Sequence, residues 1–122
     1  MIHGGTATIY VSDMDRAVEF YTGVLGLKLE SRYGNEWASI DAGGGFTLGL
    51  HPASSRHDAA AKRAVEAIEI GLGVQQPIEQ VVAELRRRGV ELQDVPEDPG
   101  AAIRLVRFHD PDGNGLYLYA PW

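Results

Sequence analysis

The sequence predicts an α+β fold made of two tandem β-α-β-β-β modules. Three observations carry this expectation. Short segments alternate apolar and polar residues, two longer segments carry apolar stripes at helical spacing, and the order of these segments in the first half recurs in the second.

From Thr6, TATIYV alternates with Ala7, Ile9 and Val11 on one face and Thr6, Thr8 and Tyr10 on the other, the period of a half-buried strand. Ser12 is the expected N-cap of the helix that follows, with Asp13 and Asp15 near the positive end of its dipole. Met14, Ala17, Val18, Tyr21, Val24 and Leu25 form its apolar stripe, and Gly26 stops it. LKLES, WASID and FTLGLH are the next strands, separated by glycine-rich turns. GGG at 43–45 has no helix after it, so it reads as a hairpin turn and not a phosphate cradle.

In the second half, Ile68, Ile70, Leu72 and Val74 oppose Glu69, Gly71 and Gly73 on another strand. Pro77 suits a first helical turn, Ile78, Val81, Val82 and Leu85 form the buried stripe, and Gly89 ends it. The interval from Val11 to Gly26 equals that from Val74 to Gly89, Val18 matches Val81, and Leu27 and Leu29 match Val90 and Leu92. Strands at IRLVRF and GLYLY complete the second module. The modules, about 1–52 and 65–122, belong to one domain spanning 1–122 and are joined by the polar linker 52–64, PASSRHDAAAKRA. DPDGN, 110–114, is a tight turn, and RRRG at 86–89 sets basic groups at a helix C-terminus.

A chain of 122 residues suits a single domain that buries roughly two-thirds of its unfolded surface. A formal charge of −6 argues against a phosphate-binding stripe and hence against a nucleic-acid partner. The absence of cysteine excludes disulfides, thiolate metal sites and cysteine nucleophiles. MIHGGTATIYVSD has no basic segment followed by an apolar run, and no window approaches the roughly 18 apolar residues of a membrane span. A cytoplasmic location without a membrane partner is the expectation.

TATIYVSDMDRAVEFYTGVLGLKL, WASIDAGG and FHDPDGNGLYL, in this order and spacing, resemble the vicinal oxygen chelate superfamily, which includes glyoxalase I, bleomycin-resistance proteins and extradiol dioxygenases. The resemblance covers nearly the whole chain. It implies βαβββ modules whose mixed sheets curl around a cleft, with the helices on the outer face and, usually, a homodimer. In metal-dependent members it implies four ligands, which land here on Thr6, Gly49, Glu69 and Tyr117. The family places histidine at the first, glutamate or glutamine at the second, histidine or glutamate at the third and glutamate at the fourth. Only Glu69 is a usual ligand, so the expectation is no metal and no cofactor. A rebuilt site around His51 and Glu69 is the alternative; His3, His57 and His109 read as exposed loop residues.

The strand faces opposite the core carry Thr6, Thr8, Tyr10, Thr47, Gly49 and His51 in the first module. In the second they carry Glu69, Gly71, Gly73, Gly115, Tyr117 and Tyr119. Both sets are expected to line a shared chamber in which the glycines leave room and the tyrosines form walls. Trp37 reads as a ligand wall or as a cap on the core edge, and Trp122 as a residue of the dimer seam. Glu69 needs a partner, His51 or Arg104, if it lies deep in the chamber. The leading function is a metal-free small-molecule binding protein, like the drug-sequestering branch of antibiotic-resistance proteins, holding an aromatic or cationic compound in a dimer cleft. Its ligand-binding residues would be Thr6, Thr8, Tyr10, Trp37, Thr47, Gly49, His51, Glu69, Tyr117 and Tyr119. The alternatives are a metal-dependent lyase, isomerase or dioxygenase, or metal-free acid–base catalysis, with Glu69, His51 and Tyr117 as candidate catalytic residues.

Overall fold

Alternating strands bury one face only when a helix covers it, and both predicted helices do so. The computed structural model describes residue 1 and residues 6–53, 69–97 and 103–121. The expectations for His3, His57, Ile68, Trp122 and most of the linker lie outside these residues. The chain divides into two units, Met1–Arg63 and Ala64–Trp122.

The first unit holds β1 (Ala7–Val11), α1 (Met14–Val18), β2 (Lys28–Tyr33), β3 (Trp37–Asp41) and β4 (Thr47–Pro52). Its sheet has the order β1-β4-β3-β2, with β1 parallel to β4 and the other pairs antiparallel. Ile9, Val11, Ala38, Ile40, Leu48 and Leu50 form the buried face, and Met14, Ala17, Phe20 and Tyr21 join them in the core.

The N-cap of α1 is Asp13 rather than Ser12. Asp13 takes the extended conformation a cap requires, and its carboxylate accepts from the Arg16 amide at 3.1 Å. After Val18 the helix widens into a π-helical turn, Glu19–Val24, where the Thr22 hydroxyl donates to the Val18 carbonyl at 2.6 Å. Within this turn the adjacent rings of Phe20 and Tyr21 are both buried, edge to face with centroids 5.3 Å apart. The β3–β4 hairpin turns through Gly43, Gly44 and Gly45, all at positive φ, with the Asp41 carboxylate accepting from the Gly43 amide. A side chain would be strained at each of these three positions.

The second unit holds β5 (Ile70–Gly73), α2 (Ile78–Arg87), β6 (Ile103–His109) and β7 (Gly115–Pro121), in the sheet order β5-β7-β6. β5 is parallel to β7, and β6 is antiparallel to it. Val106, Phe108, Leu116, Leu118 and Ala120 are buried, as are Ile78, Val82 and Leu85 of α2; Ile70 and Leu72 are half-buried. The strand expected from Val90 is reduced to a single bridge between Leu92 and Phe108, backed by the Gln93 amide on the Arg107 carbonyl at 3.0 Å. Pro96 follows closely and has no N–H to extend the ladder. The 110–114 turn is organised by buried Asp110, whose carboxylate accepts from the amides of Asp112 and Asn114 and from the Asn114 side chain.

The repetition read from the sequence has a geometric counterpart. Thr8 stands opposite Gly49 across the parallel pair of the first unit, and Gly71 stands opposite Tyr117 across that of the second. Thr6 and Glu69 each lie two residues earlier, so the four family positions occupy matching places in the two sheets.

Candidate functional site

In the first unit, a row of aromatic side chains crosses all four strands on the sheet face opposite α1. Tyr10 of β1 is in register with His51 of β4, and Tyr33 of β2 with Trp37 of β3. The His51 ring meets Tyr10 edge-on at 5.7 Å and Trp37 edge-on at 6.4 Å. Tyr10 is 39% and Tyr33 68% exposed, so both ends of the row present ring surface outward. A row of small residues lies beside it: Thr8, Gly49, Ser39 and Ser31, each in register with the next. Thr47 is paired with Asp41 one further step along, next to Thr6, which lies just before β1 and is exposed.

Two contacts fix the middle of the aromatic row. The Trp37 indole N–H donates to the Ser39 hydroxyl at 2.8 Å. The benzo edge of the same indole lies over Gly49: a Cβ built there would stand 2.6 Å from Cζ2 and 3.0 Å from Cζ3, with Cη2 closer still. His51 places Nδ1 at 2.9 Å from the Pro52 carbonyl. A carbonyl only accepts, so Nδ1 is the donor of this bond.

The second unit repeats the device with tyrosines. A Cβ on Gly71 would stand 2.5 Å from the Tyr117 ring, and one on Gly73 would stand 3.0 Å from the Tyr119 ring. The two rings are 6.2 Å apart, and Tyr119 is 41% exposed. The expectation that glycines leave open room is thus corrected at Gly49, Gly71 and Gly73, where an aromatic ring of the neighbouring strand occupies the volume the missing side chain vacates. These rings lie down on the sheet.

Within the second unit, Glu69 is not partnered by Arg104. Both of its carboxylate oxygens accept from Nε of Arg107, at 3.2 and 3.0 Å, while Arg104 pairs with Glu79. A general-base role for Glu69 would have to break this pair. Sequence reasoning missed Arg107 and Tyr33. Arg107 was legible only as one residue of a strand, and Tyr33 lies beyond LKLES, past a register shift between Leu29 and Ser31 that breaks the alternation.

A family model described as the Glyoxalase/Bleomycin resistance protein/Dioxygenase superfamily matches residues 5–118. The chain belongs to this superfamily. Solved structures similar to this superfamily member include TnmS3, an antibiotic binding protein from Streptomyces sp. CB03234, at 23% identity and TM-score 0.77, covering 100% of this chain and 98% of that one. A glyoxalase/bleomycin resistance protein from the same Streptomyces matches at 22% identity and TM-score 0.67, over 97% of this chain and 100% of the other. A virulence protein from Salmonella typhimurium matches at 22% and 0.70, over 98% and 96%. At these identities the likenesses establish the fold. No curated protein matches the sequence.

The superfamily fold implies a divalent metal in many members, and the side chains at the four family positions, Thr6, Gly49, Glu69 and Tyr117, do not fit one. In the first unit, Thr6 offers only a hydroxyl, and Gly49 has no side chain and lies under the Trp37 indole. In the second, Tyr117 rests on Gly71, and the one carboxylate, Glu69, is held by a guanidinium. A fixed cation on the only usual ligand opposes a second cation there. Among the described residues no three histidine, aspartate or glutamate side chains are grouped to share an ion.

Proposed function

We propose that this superfamily member is a metal-free binding protein for flat aromatic small molecules. The observation that carries this reading is the row Tyr10–His51–Trp37–Tyr33. It is exposed at both ends, anchored at its centre by Ser39 and Gly49, and flanked by the hydroxyls of Thr8, Ser39 and Ser31. Aromatic surface with a few fixed polar groups suits ring stacking with orientation by hydrogen bonds. The likeness to an antibiotic binding protein supports the same reading. Within the proposed class an aromatic ligand is favoured over a merely cationic one, because Arg107 balances the charge of Glu69 that would attract a base. A homodimer whose second copy helps to close the ligand cleft completes the proposal.

The test uses Trp122→Phe protein, which leaves Trp37 as the only tryptophan. A panel of polycyclic aromatic antibiotics and planar metabolites is titrated while Trp37 emission is followed. Saturable quenching is expected for at least one compound, with binding weakened about tenfold or more by Tyr10→Ala, as for an aromatic anchor residue. No saturable response across the panel would overturn the reading. Light scattering during chromatography tests the dimer, and a monomer mass would remove that element.

A further inference from the structure

We propose that Arg107 forms an oxyanion subsite on the open sheet face of the second unit, selecting ligands that carry a carboxylate beside an aromatic ring. This deepens, and rests on, the small-molecule binding function proposed above. It begins from the way Arg107 is held. Arg32, Arg86, Arg87 and Arg104 each engage a carboxylate through a terminal nitrogen. Arg107, like Arg88 on Glu84, meets its carboxylate through Nε: Nε alone contacts Glu69, and neither terminal nitrogen of Arg107 makes a hydrogen bond among the described residues. Its backbone is held as well, the amide donating to the Gln93 side chain and the carbonyl accepting from the Gln93 amide. The guanidinium is tethered at its root and presents its fork.

The register explains the tether. Arg107 is opposite Tyr117, and Ile70 is opposite Leu116, so Gly115 of the intervening strand lies between Arg107 and Glu69. The arginine reaches Glu69 diagonally across β7 past a residue with no side chain. Tyr117 leans the other way, onto Gly71, and so leaves the guanidinium uncovered; the Arg107 side chain is 46% exposed.

A guanidinium fork matches the two oxygens of a carboxylate, and an arginine already oriented by an ion pair loses less freedom on binding than a loose one. The adjoining Tyr117 and Tyr119 rings supply apolar area for a ring attached to that carboxylate.

The experiment titrates uniformly 15N-labelled protein with benzoate, its neutral isostere benzamide, and acetate, following the Arg107 Nε–H resonance, which is assigned by its absence in Arg107→Lys. Benzoate is expected to give a saturable shift and to bind about tenfold tighter than benzamide, as a charge-assisted pair should. Arg107→Gln should bring benzoate down to the level of benzamide. Arg107→Lys keeps the charge but not the fork, and should retain only part of the difference. Amide spectra of each variant confirm that it is folded. Equal affinities for benzoate and benzamide, a preference that survives Arg107→Gln, or no Arg107 shift with benzoate or acetate would each overturn the subsite. If benzamide and other neutral aromatics still perturb Trp37 in that event, the proposed function stands without it. If no aromatic binds anywhere, the subsite and the aromatic function fall together, whether or not acetate shifts Arg107.

Discussion

Replacing Gly49 with alanine tests whether the Trp37 indole lies on the sheet. Gly49 has no positive φ, so alanine is tolerated by the backbone, and Gly→Ala alone should stabilise by about 0.4–1 kcal/mol through the unfolded chain. The new methyl, however, would stand 2.6 Å from Cζ2 of Trp37, whereas carbon atoms rest at about 3.5 Å or more, so the indole must lift by about 1 Å. Lifting it strains or breaks the N–H bond to Ser39, worth about 0.5–1.5 kcal/mol net, within a total overpacking cost of about 1–3 kcal/mol. Gly49→Ala should therefore destabilise the protein by about 1–2 kcal/mol in a Trp37 background. It should stabilise by a few tenths to about 1 kcal/mol in a Trp37→Ala background. Urea unfolding of the four proteins of this double-mutant cycle, in Trp122→Phe and followed by circular dichroism, measures the sign change. Equal stabilisation in both backgrounds would refute the seating of the ring.

Gly71→Ala, with its Cβ 2.5 Å from the Tyr117 ring, should cost more in urea unfolding than Gly73→Ala, whose contact with Tyr119 begins at 3.0 Å. Asp110→Ala removes the acceptor of two backbone amides and the Asn114 side chain, and should cost about 2–4 kcal/mol by the same assay. Glu84 is held down to about 2, chiefly by its hydrogen bond to Arg87 and then by Arg88. A lowered carboxylate stabilises the fold above its unfolded value near 4.5, and that contribution disappears as pH falls toward 2. Glu84→Gln should thus lower the melting temperature at pH 7 and match the parent near pH 2, with high salt narrowing the difference because the group is exposed.

What was legible in the sequence is what a one-dimensional pattern can carry. WASID and GLYLY alternate without interruption, and their buried and open faces are as read. The helix stops at Gly26 and Gly89 follow from single residues at positive φ. Ser12 and Asp13 are both good caps, and the choice between them depends on which residue adopts the extended conformation, a matter of how β1 hands over to α1. The missing strand after α2 was masked by a good match of Val90 and Leu92 to Leu27 and Leu29, while the nearby proline worked against it. The site was half legible: the residues on each open face were identifiable from period two, but what sits on what depends on register between strands distant in sequence. Trp37 reaches Gly49, and Arg107 reaches Glu69 past Gly115, only once β3 and β4, or β6, β7 and β5, are aligned. Tyr33 was hidden by the irregularity in β2, which resets the alternation before it.

The proposed function requires these open faces, with their seated rings, to take an aromatic ligand without a metal ion. Calorimetric titration of chelator-treated protein with a compound that quenches Trp37 tests it most directly. The affinity is expected to be unchanged by added nickel, zinc or manganese and reduced about tenfold or more by Trp37→Ala. Binding that appears only after one of these ions is added, and is lost in Glu69→Ala, would contradict it.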